Sequence, residues 1–227
     1  MRLIDGLASH ILREYNSVLD ELIERELLID SNALLSFKSQ NGTVLTWSNN
    51  THLSYLFGEH STVKHYRSIL ECRDFCFCFI DGGVIQVRYD IEDGEIVAHR
   101  LCYFPCPFSF SPEDVEGIAL SELPLLFSAE ELLMRFRLAS PIRFDFDATF
   151  NDDYHAYSHV SINKETCRIP VYGPVSLGHF IRFVLRYFYQ RDALYIEDWE
   201  CVRPKLYNRT LQHPSPYELH LETTVTF

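Results

Sequence analysis

The chain has 227 residues, of which 47% are hydrophobic, 14% aromatic and 23% charged, and its 20 Lys and Arg against 32 Asp and Glu leave a formal net charge of −12. There is enough apolar material for a core, no run approaches the roughly 20 apolar residues of a membrane span, and the acidic balance opposes a duplex-DNA binder that works through a broad basic face. Met1–Asp5 lacks the basic-then-apolar layout of a secretory signal. The seven cysteines, at 72, 76, 78, 102, 106, 167 and 201, contain no C-x-x-C pair. An odd set of this kind fits free thiols in a reducing, cytoplasmic setting better than a disulfide framework or a zinc ribbon.

Ile4, Leu7, Ile11, Tyr15, Val18, Leu22 and Ile23 recur every three or four residues, which predicts an amphipathic helix over 4–28 that stops near Asp30-Ser31-Asn32. Residues 34–48 read as a hairpin turning at Asn41-Gly42, a pair suited to a type I′ turn. A helix over 61–71 begins at Ser61. Three strands follow, at 75–80, 84–91 and 95–104, joined by Asp81-Gly82-Gly83 and Glu92-Asp93-Gly94. Pro105 to Pro107 interrupts regular structure, and 107–127 reads as a long surface loop. Ser128-Ala-Glu-Glu131 is a capping box that opens a short helix. Strands are expected at 142–147, 155–163 and 168–172, then an aromatic helix at 176–190 capped by Ser176, and an alternating terminal strand at 217–227. Tight turns between neighbouring strands imply antiparallel pairing. The expected fold is therefore α+β: an antiparallel sheet with an N-terminal helix and a C-terminal aromatic helix packed against it, in one domain over 1–227, with a helical segment at 1–30 and a sheet-containing body at 31–227.

Five blocks stand in order. They are His99-Arg100-Leu101-Cys102-Tyr103-Phe104-Pro105-Cys106-Pro107-Phe108, Ser140 to Asp147, His155 to His159, Cys167-Arg168-Ile169-Pro170-Val171, and Phe180 to Tyr189. Together they resemble a bacterial family of unknown function, over roughly 65–190. The resemblance implies a bacterial cytoplasmic protein, of a kind often encoded beside ATPases and nucleases in phage-defence or mobile-element regions. It implies no assigned activity.

On a strand, Arg143, Asp145 and Asp147 share one face, and Ile142, Phe144 and Phe146 share the other. His155, Tyr157 and His159 share a face by the same rule. If the two strands pair, Asp145, Asp147, His155 and His159 converge as candidate catalytic groups, with Arg143, Arg168 and Arg100 as candidate substrate-binding cations. Imidazoles with carboxylates suit a divalent transition metal. A metal-free acid–base arrangement fits better, because residues four apart on a strand lie about 13 Å apart. No cofactor is expected. The competing reading is the solvated face of a sheet, on which Arg–Asp pairs are ordinary. Of His99 and Arg100 only one can reach any single site, since neighbours on a strand face opposite ways.

His179, Arg182 and Arg186 form a basic row on the 176–190 helix, opposite Phe180, Phe183, Val184 and Tyr187. They are candidate partner-binding residues, for an acidic protein surface or for phosphates. Nucleic acid is a weaker candidate on charge, and no membrane contact is expected. The N-terminal helix reads as packed on the body, with a partner-binding arm as the alternative. No nucleotide-binding Gly-rich loop or G-x-S-x-G elbow occurs. The expected function is an accessory, regulatory or effector subunit of a bacterial antiviral-defence or toxin-type system beside an ATPase or nuclease. The alternative is a hydrolase or nuclease acting on phosphorylated substrates through the Asp/His/Arg set.

Overall fold

Ala8, Ile11, Tyr15, Val18 and Leu22 fall on one stripe of the first helix, α1 (Gly6–Glu24), and all five are fully buried. The computed structural model describes residues 6–47, 63–118, 122–137, 139–149, 157–164 and 166–189, together with Trp199, Tyr207, Thr210 and Leu221. Helix α1 ends earlier than its sequence suggests. Glu26 adopts φ 55°, Leu27 N–H donates to Leu22 O and Glu26 N–H to Ile23 O. This is a Schellman ending built on glutamate instead of glycine, which is why no stop signal marks it. The chain then enters a strand, β1 (Leu28–Ser31), that the sequence reading assigned to helix.

Strands β2 (Leu34–Lys38) and β3 (Thr43–Trp47) form the expected hairpin. Lys38 pairs with Thr43, so the loop has four residues and not a two-residue type I′ turn. Ser39 N–H bonds Gly42 O, and Gly42 N–H bonds the Ser39 hydroxyl. Gly42 is required for another reason: a Cβ there would collide with the Ile91 carbonyl of the neighbouring strand.

Helix α2 (Val63–Glu71) also closes on a left-handed residue, Arg73 at φ 50°. The expected cap, Ser61, lies outside the described residues. The meander β4 (Phe77–Phe79), β5 (Val84–Glu92) and β6 (Glu95–Phe104) follows. At the β5–β6 turn Asp93 and Gly94 both take positive φ, as a type I′ hairpin demands. The 107–127 segment is not simply a loop. It holds α3 (Pro112–Val115), opened by a Ser111/Asp114 capping box, and α4 (Leu123–Leu126). The Ser128/Glu131 box then opens α5 (Ala129–Arg135) as expected. Strands β7 (Ile142–Asp147), β8 (Ser158–Ile162) and β9 (Arg168–Pro170) and helix α6 (Leu177–Phe188), capped by Ser176, complete the chain order. The predicted 217–227 strand lies outside the described residues except for Leu221, which bridges Val171 in parallel.

All pairings between named strands are antiparallel. The nine strands make one sheet in the order β1-β4-β5-β6-β7-β8-β9, with the β2–β3 hairpin joined to β5 through β3. On one face, α1 and α6 pack over Phe77, Ile85, Val87, Tyr89, Leu101, Phe144, Phe146 and Val160. On the other, Tyr66, Ile69 and Leu70 of α2 pack with Phe108 and Leu123 over Cys78, Val84, Cys102 and Phe104. Helix α1 is thus part of the core, and the arm reading is not followed. Glu14 of α1 also accepts from Gly178 N–H at 2.9 Å, placing a carboxylate at the positive end of α6.

The hairpin geometry separates two outcomes. Gly42→Ala should lower stability by about 1–3 kcal/mol, because the clash is with backbone. Asn41→Ala should change it by less than about 0.5 kcal/mol. Urea denaturation of both variants checks this; a large loss at Asn41 would restore the type I′ reading.

Candidate functional site

The face of β6, β7 and β8 away from α1 and α6 carries the predicted polar residues, and register brings four of them together. Arg100 lies opposite Asp145, and Asp145 lies opposite His159. Arg100 Nε donates to Asp145 Oδ1 at 2.8 Å, and Arg143 Nε donates to Oδ2 at 2.5 Å. His159 Nε2 lies 3.6 Å from the same Oδ2. Arg143 is 4% exposed, Asp145 7% and His159 2%, so this is a buried ionic centre and not a solvated sheet face. Burial by itself would raise the Asp145 pKa; Arg143 and Arg100 more than offset it and hold the carboxyl below its usual range.

The remaining candidates do not join this centre. The Asp147 carboxylate turns to Thr149, accepting from its N–H at 2.8 Å and its hydroxyl at 2.6 Å. Arg168 is exposed on β9, at the register position opposite Ser161. His155 lies outside the described residues. Tyr157 packs against the α1/α6 core, so the shared face expected for Tyr157 and His159 does not exist. Among the described residues, no group of three or more His, Cys, Asp or Glu side chains is placed to hold a metal ion.

His99 and Arg100 divide as strand geometry requires. His99 faces the core between Tyr89 and Phe146, and its Nε2 accepts from Val175 N–H at 2.9 Å. The ring is therefore neutral with its proton on Nδ1. Burial lowers its pKa from 6.5 to about 4 despite the Asp145 charge. Burial also pushes the Cys102 thiol up to about 12 and the Cys106 thiol to about 11, so neither is a thiolate near neutral pH. The six cysteines within the described residues are free.

The α6 row differs from its expected layout. Its basic members do not stand opposite all the aromatic ones. His179, Arg182 and Arg186 share the walls of one pocket of about 370 Å³ with Phe144, Phe180, Phe183 and Tyr187. The sequence missed this because Phe144 comes from β7, and because Phe183 and Tyr187 flank the arginines at single-residue offsets that a two-sided helical wheel assigns to the core. A second unforeseen feature is apolar: Leu126, Leu133, Met134 and Phe136 are exposed around α4 and α5.

These features define an α+β protein with a two-faced antiparallel sheet, a buried arginine–carboxylate–histidine centre and an aromatic–basic pocket. A family model described as "Uncharacterized conserved protein (DUF2290)" matches residues 27–223, and the chain belongs to that family. No curated protein and no solved structure matches it. No helix among the described residues is long and apolar enough to cross a membrane.

Two measurements probe the buried groups. Asp145→Asn should cost about 3–5 kcal/mol, since it leaves the Arg143 charge buried without its carboxylate; a loss under about 1 kcal/mol in urea titration would show that the centre contributes little. His99, whose folded pKa lies below its unfolded value, stabilises the fold fully above pH 6.5. That contribution, about 3 kcal/mol for the full shift, is lost as pH falls from 6.5 to about 4. In His99→Phe the stability slope across that window should flatten, even if the plateau at pH 7 is lower.

Proposed function

We propose that the chain is an accessory or regulatory subunit of a bacterial defence or toxin-type system, working in the cytoplasm beside an ATPase or nuclease. The observation that carries this reading is the apolar surface of α4 and α5. Leu133 and Met134 are 77% and 89% exposed, Leu126 is 61% and Phe136 50%. Large side chains this exposed along one short stretch are characteristic of protein interfaces. The stretch is also held in place. Arg135 binds Asp114 at 2.6 Å and lies 4.2 Å over the Phe127 ring, so the patch is presented by a packed segment. The kind of partner follows from the family resemblance.

The hydrolase or nuclease reading is placed second. It is favoured by His159 lying 3.6 Å from Asp145. It is weakened because both Asp145 oxygens accept from guanidinium groups, which makes the carboxylate a poor base.

Co-expression with the neighbouring ATPase or nuclease, followed by sizing, is the test. A stable hetero-complex is expected, and Leu133→Glu/Met134→Glu should weaken it at least about tenfold with the melting temperature unchanged. A complex indifferent to this double variant, or no complex with hydrolysis abolished by His159→Ala, would reverse the order of the two readings.

A further inference from the structure

The α4–α5 surface carries a charge pattern that narrows what can cover it. No lysine or arginine occurs from 101 to 134, whereas Glu113, Glu116, Glu122, Glu130 and Glu131 all do, and all five are exposed. Glu113 bonds Ser111 and Glu131 bonds Ser128. Glu116, Glu122 and Glu130 make no hydrogen bond or ion pair among the described residues. The nearest cations are committed elsewhere: Arg135 to Asp114, and Arg137 to the Ser109 hydroxyl.

The carboxylates stand beside the apolar side chains. Glu130 precedes Leu133 and Met134 by three and four residues on α5. Glu122, already helical at φ −89° and ψ −27°, precedes Leu126 by four across α4. Residues at those spacings are neighbours on a helix surface. Phe127 and Leu132 turn inward against the second core, so the apolar ridge and its acidic border face outward together.

That border decides between occupants. A two-fold contact with a second copy would set like patch against like, glutamates facing glutamates, on chains that each carry −12. An anionic lipid surface would meet the same repulsion. An added β-strand needs open backbone groups, but Leu132 N–H donates to Ser128 O, Phe136 N–H to Leu133 O and Arg137 N–H to Pro107 O. The surface offers side chains, and an amphipathic helix answers with side chains at i, i+3 and i+4. Met134 adds a contact that adapts to its neighbour's shape.

We propose that the α4–α5 surface docks a basic amphipathic helix of a partner protein, its apolar stripe on Leu126, Leu133 and Met134 and its lysines or arginines on Glu122 and Glu130. The proposal rests on reading this surface as the partner interface, and it adds the chemistry of what binds there.

Fluorescence anisotropy with labelled synthetic peptides of about five helical turns tests it. One peptide is an amphipathic Leu/Lys helix, one carries Glu in place of Lys, and one has the Leu/Lys composition with the stripe scrambled. The Leu/Lys helix should bind the full chain with Kd on the order of 10 µM, at least about tenfold tighter than either control, and more weakly as salt is raised. Leu133→Ser/Met134→Ser should weaken it about tenfold. Glu122→Lys/Glu130→Lys should reverse the preference between the Lys and Glu helices, and the milder Glu122→Gln/Glu130→Gln should reduce it. Asp20→Lys/Glu24→Lys, at exposed positions of α1 on the other side of the sheet, makes the same change in net charge and should leave the preference intact. Melting temperatures check that each variant folds. The proposal is overturned if the scrambled or the Glu peptide binds the parent as tightly as the Leu/Lys helix, or if the α1 variant also reverses the preference. It is equally overturned if Leu133 and Met134 instead mediate a dimer of the chain or binding to phosphatidylglycerol vesicles. The two readings fail separately. A hetero-complex with the neighbour that is lost in Leu133→Glu/Met134→Glu but indifferent to Glu122→Lys/Glu130→Lys keeps the partner reading and overturns the basic helix. Reversal with the peptides, without a complex with that neighbour, keeps the basic helix and overturns the choice of partner.

Discussion

Strands β5 and β6 are covered on both faces. Ile85, Val87 and Tyr89 alternate with Val84 and Gln86 along β5, and all five are buried. Leu101 and Tyr103 alternate with Cys102 and Phe104 along β6, again all buried. A sheet in this state has no solvated side on which to leave polar groups. Each one placed there must find a partner, because an unpaired buried charge costs several kcal/mol. The ionic centre is one consequence. Once β7 and β8 extend the sheet, Arg143, Asp145 and His159 inherit the covered face, and register supplies Arg100 as the second cation. Gln86 meets the same demand by donating to Asp74 O at 2.5 Å, while Asp74 accepts from Trp47 Nε1 at 2.6 Å.

The same constraint acts at the β4–β5 turn, which is clasped from both faces. Tyr66 of α2 donates to Gly82 O at 2.8 Å from one side. From the other, the Tyr189 hydroxyl donates to Asp81 Oδ1 at 2.8 Å and meets the Tyr103 hydroxyl at 3.1 Å. Gly82 takes φ +85° and Gly83 lies against the Tyr189 and Tyr103 hydroxyls, where a Cβ would not fit. Two adjacent glycines serve different needs here, one conformational and one of close approach. The clasp ties the C-terminal end of α6 to the sheet, while Ser176 and Glu14 fix its N-terminal end.

Much of this was legible in the sequence. The alternation at 142–147 gives β7 with its boundaries, the Ser128 box gives α5, and the helical stripe gives the buried face of α1. Where the reading failed, a local signal stood for a tertiary cause. Asn41-Gly42 looks like turn chemistry, but its glycine answers to Ile91. Glu26 and Arg73 end helices at positive φ without the glycine that would announce it. Of the two readings of the β7 polar alternation, the solvated face fails, because single-strand periodicity records chemistry and not what covers it. Parity put Asp145 and His159 among the groups that converge if β7 and β8 pair, and the register then sets them opposite each other. The contribution of Arg100 was not legible, since it depends on which strand lies on the far side of β7.

The two cationic sets are held in place differently. In the ionic centre two arginines meet one carboxylate at 2.5 and 2.8 Å; Arg143 and Asp145 are buried, while Arg100 keeps part of its side chain in solvent. Displacing Asp145 to admit an anion would mean breaking both contacts before any new one forms, so this set acts as a fixed strut. The α6 set takes its position from a helix. Leu177, Phe180, Ile181, Val184 and Leu185 anchor the helix in the core, and Glu14 and Ser176 satisfy its N-terminal N–H groups. Arg182 and Arg186 then project from a backbone that need not move. The helix thereby sets where these two side chains stand in the pocket they share with Phe144, Phe183 and Tyr187.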